Sequence, residues 1–339
     1  MLMHRKIFAI AMAFAAVHCG ILFAGFFAPY MPSAQHREHA YARPTKLHFV
    51  DAQGQVHIRP FVYPSVPVEG EGFQYREDPS SGYPIRFLSR KSDGIHLLAV
   101  DSQADLFLFG TDGYGRDIFS RLLFGGRISL LAAMVATLLS LLIGVAAGGI
   151  AGHFGGAVDA VIMRSSELVL ALPWIYLLLA IRGSLPLHVE PTRTLILLSA
   201  VIGAMGWARP ARLIRGVVLS ARERPFVSAA RGFGASEWYL LRRHVLPQTL
   251  GVITAQAVTL IPQFVAAEAT LSFLGLGIGE PVPSWGNMLS AFQQFQTVSS
   301  YWWMAAPLVA LVAVSLTYFV LADALHQAGA RINSGQSYA

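Results

Sequence analysis

The chain has 339 residues, of which 54% are apolar and 13% charged, with a mean hydropathy of +0.51. This profile excludes an ordinary water-soluble domain of that length and points to an integral membrane protein. The formal net charge is +6, and it is concentrated in one stretch between apolar runs, which points to a cytosolic loop; no nucleic-acid partner is expected.

Apolar runs long enough to cross a bilayer as helices occur at 7–28, 128–151, 158–181, 194–216, 249–272 and 301–322. The expected architecture is all-α and polytopic with six transmembrane helices. His4, Arg5 and Lys6 place the N-terminus in the cytosol, and an even number of spans returns the tail with Arg331 there. A signal peptide is the alternative for the first run, with Cys19 suggesting a lipoprotein signal. However, apolar character continues through Ile21, Leu22, Phe23, Phe26 and Phe27, and His18 is not the small residue such a signal needs. An uncleaved anchor is expected. A lone cysteine permits no internal disulfide.

Residues 29–109 turn abruptly polar and read as a small extracytoplasmic insert. Two hairpins are expected in it: 47–50 with 56–61 around Asp51-Ala52-Gln53-Gly54, and 85–88 with 95–100 around Ser92-Asp93-Gly94. His36-Arg37-Glu38-His39 lacks zinc-protease spacing and reads as a solvated loop, so no metal is expected.

The segment 110–130 has phosphate-loop spacing at Gly110 and Gly115. Arg116 and Asp117 stand where Lys and Ser/Thr would have to be, so ATP chemistry is excluded there. Asp112 and Asp117, interleaved with Arg116 and Arg121, are expected to pair within a short amphipathic helix at the outer surface.

In the second run Gly144, Gly148, Gly152 and Gly156 recur every four residues, a bare face suited to close helix packing. A surface that slides as a pore opens would show the same pattern. Pro173 and Pro262 should kink the third and fifth spans. Arg164 and Glu167 can pair on one helical face.

The charge excess lies at Arg209, Arg212, Arg215, Arg222, Arg224, Arg231, Arg242 and Arg243 against Glu223 and Glu237. Within this loop Pro225 suits a first helical turn, Ala229 and Ala230 give a bare face, and Gly232 and Gly234 can end the helix. Ser236 can cap a second helix, stopped before Pro247. A short helix with an alanine face and a glycine stop fits another protein's groove.

Glu268 is an ionisable group inside a span. It precedes a run rich in glycine and proline, 271–289. Irregular backbone at that depth must be buried or line a cavity, so an outer gate is one hypothesis and a bond from Glu268 to the nearby turn is the other. The chain carries no Gly-x-Ser-x-Gly, no His-Glu-x-x-His and no paired aspartates on facing spans, so it is not expected to be an enzyme.

Three of these motifs resemble permease subunits of ATP-binding-cassette importers. In the basic loop the match is Ala229, Ala230, Gly234, Val245, Leu246 and Pro247, with Ser228 standing where the family carries glutamate. Ser228, Arg231 and Ala235 complete the stretch expected to dock the ATPase. The segment before the second span resembles the dipeptide/oligopeptide/nickel branch through Gly110, Thr111, Asp112, Gly115, Arg116, Asp117 and Arg127. The segment after the fifth does so through Glu268, Ser272, Phe273, Leu274, Gly275, Pro283, Ser284, Trp285 and Gly286.

The resemblance implies a type I importer permease fold with a cytoplasmic coupling helix. Its parts would be an N-terminus and first span (1–28), an insert (29–109), a permease core (110–325, coupling loop 217–247) and a cytoplasmic tail (326–339). It also implies an inner-membrane location and, as partners, a second homologous permease, two cytosolic ATP-binding subunits, an extracytoplasmic solute-binding protein and membrane lipid. No cofactor is implied. Peptides lead as substrate, with nickel or oligosaccharides of the same branch open. An ion-coupled secondary transporter is the rival class; it would call for paired intramembrane acids or broken helices in repeated halves, for which Glu268 alone is a candidate and no inverted repeat is evident.

Overall fold

The computed structural model describes residues 12, 14–68, 72–91, 94–101, 103–184 and 190–335. His4, Arg5, Lys6 and the turn residues Ser92 and Asp93 lie outside the described residues, as do the side chains of His326 and Arg331.

The chain is mostly helical. Residues 14–22 are helical, and α1 (Ala24–Phe27) follows a turn at Phe23. After the insert come α2 (Ile118–Phe154), α3 (Gly156–Ala171), α4 (Trp174–Gly183), α5 (Pro191–Gly206) and α6 (Ala208–Arg222). Next are α7 (Pro225–Gly232), α8 (Glu237–Leu240), α9 (Leu250–Phe273), α10 (Trp285–Leu289), α11 (Phe295–Ser300) and α12 (Ala306–Gly335).

Among the described residues, the helices long and apolar enough to cross a membrane are Ile118–Phe154, Glu237–Phe273 and Trp302–Leu325, and α5 with α6 qualifies as a broken span bent by 43°. Proline accounts for two of the interruptions. Pro173 forces Leu172 into extended backbone (φ −79°, ψ 136°) and parts α3 from α4. Pro210, in the first turn of α6, would clash with the Gly206 carbonyl if α5 ran straight on, so the chain bends at Trp207. Helix α9, by contrast, continues through Pro262.

The helix expected to stop before Pro247 does not stop. From Glu237 the path is helical to Phe273, passing through a π-turn at Leu241–Val245 and a 3₁₀ turn at Leu246–Thr249. The changed registers accommodate a residue with no N–H and no room for the carbonyl four residues back.

The chain divides into two compact units, Leu130–Leu271 with the helix from Val314 onward, and Phe14–Ser129 with Ser272–Ala313. In the first, the glycine face of α2 meets α6. A Cβ on Gly148 would fall 2.3 Å from the Ala211 carbonyl oxygen, one on Gly144 2.8 Å from Pro210 Cβ, and one on Gly152 2.8 Å from Val218 Cγ1. Packing therefore accounts for three of the four glycines. Gly156 has open space around it and instead starts α3 at φ +59°.

In the second unit the insert is β-structured: β1 (His48–Val50), β2 (Val56–Val62), β3 (Ser65–Pro67), β4 (Tyr75–Glu77), β5 (Tyr83–Pro84), β6 (Arg86–Lys91) and β7 (Gly94–Ala99). All pairing is antiparallel, in the order β1-β2-β5, with β3-β4 and β6-β7 as separate pairs. Buried Val62, Ile85 and Leu106 form its core.

His36 and His39 are not solvated. Both are half-buried against Asp105, at 3.2 and 3.3 Å, and the bond to Asp105 raises the His36 pKa above its ordinary value. Among the described residues no group of three or more His, Cys, Asp or Glu is placed to hold a metal.

Candidate functional site

Two constellations gather the residues singled out by sequence. The first is the basic loop. Pro225 occupies the first turn of α7, where its missing N–H is no loss. At the other end Gly234 takes φ +86°. Its N–H donates to the Arg231 carbonyl (3.0 Å), and the Ala235 N–H donates to the Ala230 carbonyl (3.2 Å). These two bonds are a Schellman stop, which needs a residue tolerating left-handed backbone. Ser236 then caps α8, its hydroxyl accepting from the Tyr239 N–H.

The loop is anchored by apolar packing. Val227 is fully buried in a cluster with Ile214, Val218, Ala221, Leu240, Leu241 and Val245, and Ala230, Ala235 and Leu246 pack against it half-buried. Ser228, Ala229, Arg231, Gly234 and Pro247 are exposed. Sequence reasoning missed the flanking aromatics: Phe226 and Phe233 are exposed on either side of the alanines, Phe233 at 92%.

Polar contacts hold the loop's ends. Arg231 donates from Nε to Glu237 Oε1 (2.9 Å) and from Nη2 to Oε2 (3.3 Å), and His153 Nε2 lies 2.8 Å from the same Oε2. Arg222 Nη1 donates to the Gly152 carbonyl (2.9 Å), placing a cation on the free carbonyls ending α2. Arg215 pairs with Asp159 through both carboxylate oxygens. Arg164 and Glu167 pair at 3.4 Å on an exposed face.

The second constellation joins 110–129 to 272–294 within one unit. The expected amphipathic helix does not begin until Ile118; before it the chain makes a tight loop closed by a Thr111–Asp117 bridge. Gly115 is obligatory, because a Cβ there would fall 1.9 Å from the His36 carbonyl oxygen.

Asp112 accepts from the Tyr114 and Arg116 N–H groups and from Arg116 Nε (2.7 Å). The further partner is Glu280, which sequence reasoning missed. Arg116 forks onto it at 2.6 and 3.1 Å, and Arg121 Nη2 reaches it at 2.8 Å.

Asp117 does not pair with an arginine. Its Oδ2 accepts from the Ser120 N–H (2.7 Å) and hydroxyl (2.5 Å), capping α2. Burial pushes its pKa up to about 6. The buried Trp285 donates from Nε1 to the Leu122 carbonyl (2.9 Å) and from its N–H to Ser129 Oγ (3.2 Å).

Ser284 and Asn287 form a reciprocal capping box on α10. The Ser272 hydroxyl accepts from the Ile278 N–H (3.2 Å), and Gly275 takes φ +76°. Pro283 and Gly286 are buried, Phe273 is half-buried and Leu274 exposed. Arg127 donates to the Leu22 carbonyl (2.5 Å). Gly110 sits at φ +73°, and the Thr111 carbonyl accepts from Trp303 Nε1 (3.2 Å). Glu268 is fully buried on α9.

Residues 144–330 match the family described as binding-protein-dependent transport system inner membrane component. A protein of Brucella suis biovar 1 described as a peptide permease is 38% identical over 248 residues, 73% of this chain and 80% of that one. The dipeptide transport system permease protein DppC of Bacillus subtilis is 39% identical, covering 65% and 67%. The oligopeptide transport system permease protein OppC of Haemophilus influenzae is 32% identical, covering 71% and 76%.

Proposed function

Because this chain belongs to the family of binding-protein-dependent transport inner-membrane components, we propose that it is one membrane half of an ATP-driven importer whose solutes are peptides. The peptide assignment rests on relatives named for peptide, dipeptide and oligopeptide transport. The full assembly would add a second related permease, two ATP-binding subunits on the cytosolic side and an extracytoplasmic solute-binding protein. Six spans in a type I arrangement, with both termini in the cytosol, complete the reading. ATP hydrolysis belongs to the separate subunits.

The observation that carries the mechanism is the build of α7. One side is locked by Val227 into an apolar cluster, while Ser228 and Ala229 face outward between Phe226 and Phe233. A helix fixed on one side and bare on the other transmits a push without yielding. Closure of the ATP-binding subunits would press on this surface, and the attached helices would exchange inward- and outward-facing arrangements. The Gly275–Gly286 turns with the buried Trp285 form the proposed outer gate.

Affinity purification of the tagged chain from mild detergent tests this. Two ATP-binding subunits and a second permease should co-purify with ATPase activity, and Ala229→Arg should abolish that association while leaving the chain's own melting within about 0.5 kcal/mol of wild type, the usual range for an exposed substitution. A chain that purifies alone and moves solute under an ion gradient overturns the assignment. Ser228→Glu restores the residue the family carries; improved coupling would show that Ser228 weakens docking.

A further inference from the structure

Beside the Arg116 cluster lies a cavity of about 500 Å³, lined among others by Tyr41, Tyr114, Arg116, Arg121, Glu280 and Gln294. Arg121 is 1% exposed and Arg116 8%, so both guanidiniums are out of water and must be neutralised within the protein. Their two carboxylate partners differ sharply. The Asp112 side chain is 11% exposed and committed to two backbone N–H groups as well as Arg116. The Glu280 side chain is 45% exposed, yet accepts three hydrogen bonds from the two arginines.

The receptors are fixed and the anion on them is accessible. Arg116 is held by Asp112, and Arg121, in the first turn of α2, lies 3.8 Å from Asp112 and reaches the Pro32 carbonyl at 3.4 Å. A planar fork presented this way suits any carboxylate. We propose that Arg116 and Arg121 form a receiving site for the carboxylate of an arriving solute, and that Glu280 occupies this site in the resting chain.

Exchange conserves charge. One carboxylate leaves the arginines as another arrives, so neither guanidinium is left uncompensated, and Glu280 swings into solvent that already reaches it. A tethered competitor acts at an effective concentration on the order of millimolar, so the site is weak toward free solute. It fills when cargo is released at comparable local concentration, as a docked donor would do. Such weakness suits a transfer point, which must release what it accepts. The anion site stands on the geometry; that the carboxylate is a peptide C-terminus rests on the peptide-import assignment.

The test uses the full purified chain in detergent and saturation-transfer NMR with two probes, N-acetyl-trialanine and its C-terminal amide, which differ only in the carboxylate. The acid should bind, the amide should not, and acetate should displace the acid. Glu280→Gln keeps the side chain's size and an oxygen that accepts from the arginines while removing the competing charge. It should tighten acid binding at least about tenfold, the effect of removing a charge-bearing tethered competitor.

Equal binding of acid and amide to the wild-type chain overturns the proposal even if the variant misfolds. An unchanged affinity in a folded Glu280→Gln chain overturns it as well. Import of trialanine by the assembled complex is measured in parallel. Acid-selective binding without import would sink the peptide assignment and leave the anion site standing, whereas import without acid-selective binding would do the reverse.

Discussion

Around Arg116 the chain buries charge and neutralises it internally, with Asp112 and Glu280 drawn from segments far apart in sequence. Around Val227 it does the opposite, burying only apolar side chains and leaving its arginines and aromatics at the rim. In the first region the two buried guanidiniums must always be matched by carboxylate. The second is stiff because seven apolar side chains exclude water, and its polar surface stays available to another protein. The first region is thus organised by charge matching and the second by apolar packing that leaves Ser228 and Ala229 exposed.

Substitutions can break this contrast. The largest effect is expected for Arg121→Ala, which strips a buried cation from Asp112 and Glu280 and should cost about 4 kcal/mol, read as a lowered melting point in detergent. A loss under about 1 kcal/mol would show that the cluster is solvated and the contrast false.

Next is the pH response of Asp117. Its folded pKa, about 6, lies above its ordinary 3.8, so its contribution to stability is complete below the ordinary value and is lost as pH rises through about 6. That loss is on the order of 3 kcal/mol. Asp117→Asn retains an oxygen to cap α2 and cannot ionise, so the variant should gain on wild type between pH 4 and 7; parallel melting curves would refute the buried-carboxylate account. The smallest effect is expected in the basic loop, where Ser236→Ala removes the cap of α8 and should cost about 1 kcal/mol. A much larger drop would mean that this loop depends on polar contacts as the other region does.

Local features of the fold were legible in the sequence wherever one residue's backbone decides the outcome. Pro225 at the start of α7, Gly234 at its stop and Ser236 at the next cap stand where their chemistry requires. Features decided by distant partners were not legible. Glu280 is 164 residues from Arg116, and nothing in its neighbourhood announces an ion pair. His153 meets Glu237 across 84 residues. Pro247 reads as a stop on local grounds, but Leu241 and Val245 are drawn into the apolar cluster, and the helix continues by changing register. The Asp112–Arg116 pair is legible in the charge pattern and its setting is not, because Gly115 and the Thr111–Asp117 bridge make a loop where charge alternation suggests a helix.

The glycine face of α2 has a mechanical consequence. With Gly144, Gly148 and Gly152 each seated against α6 so closely that not even a methyl group fits, the two helices mesh like gear teeth. Sliding one past the other by a single residue, about 1.5 Å, would drive backbone into backbone. In this structure they are therefore meshed as one piece, whereas the helical path itself breaks at Leu172–Pro173 and bends at Trp207.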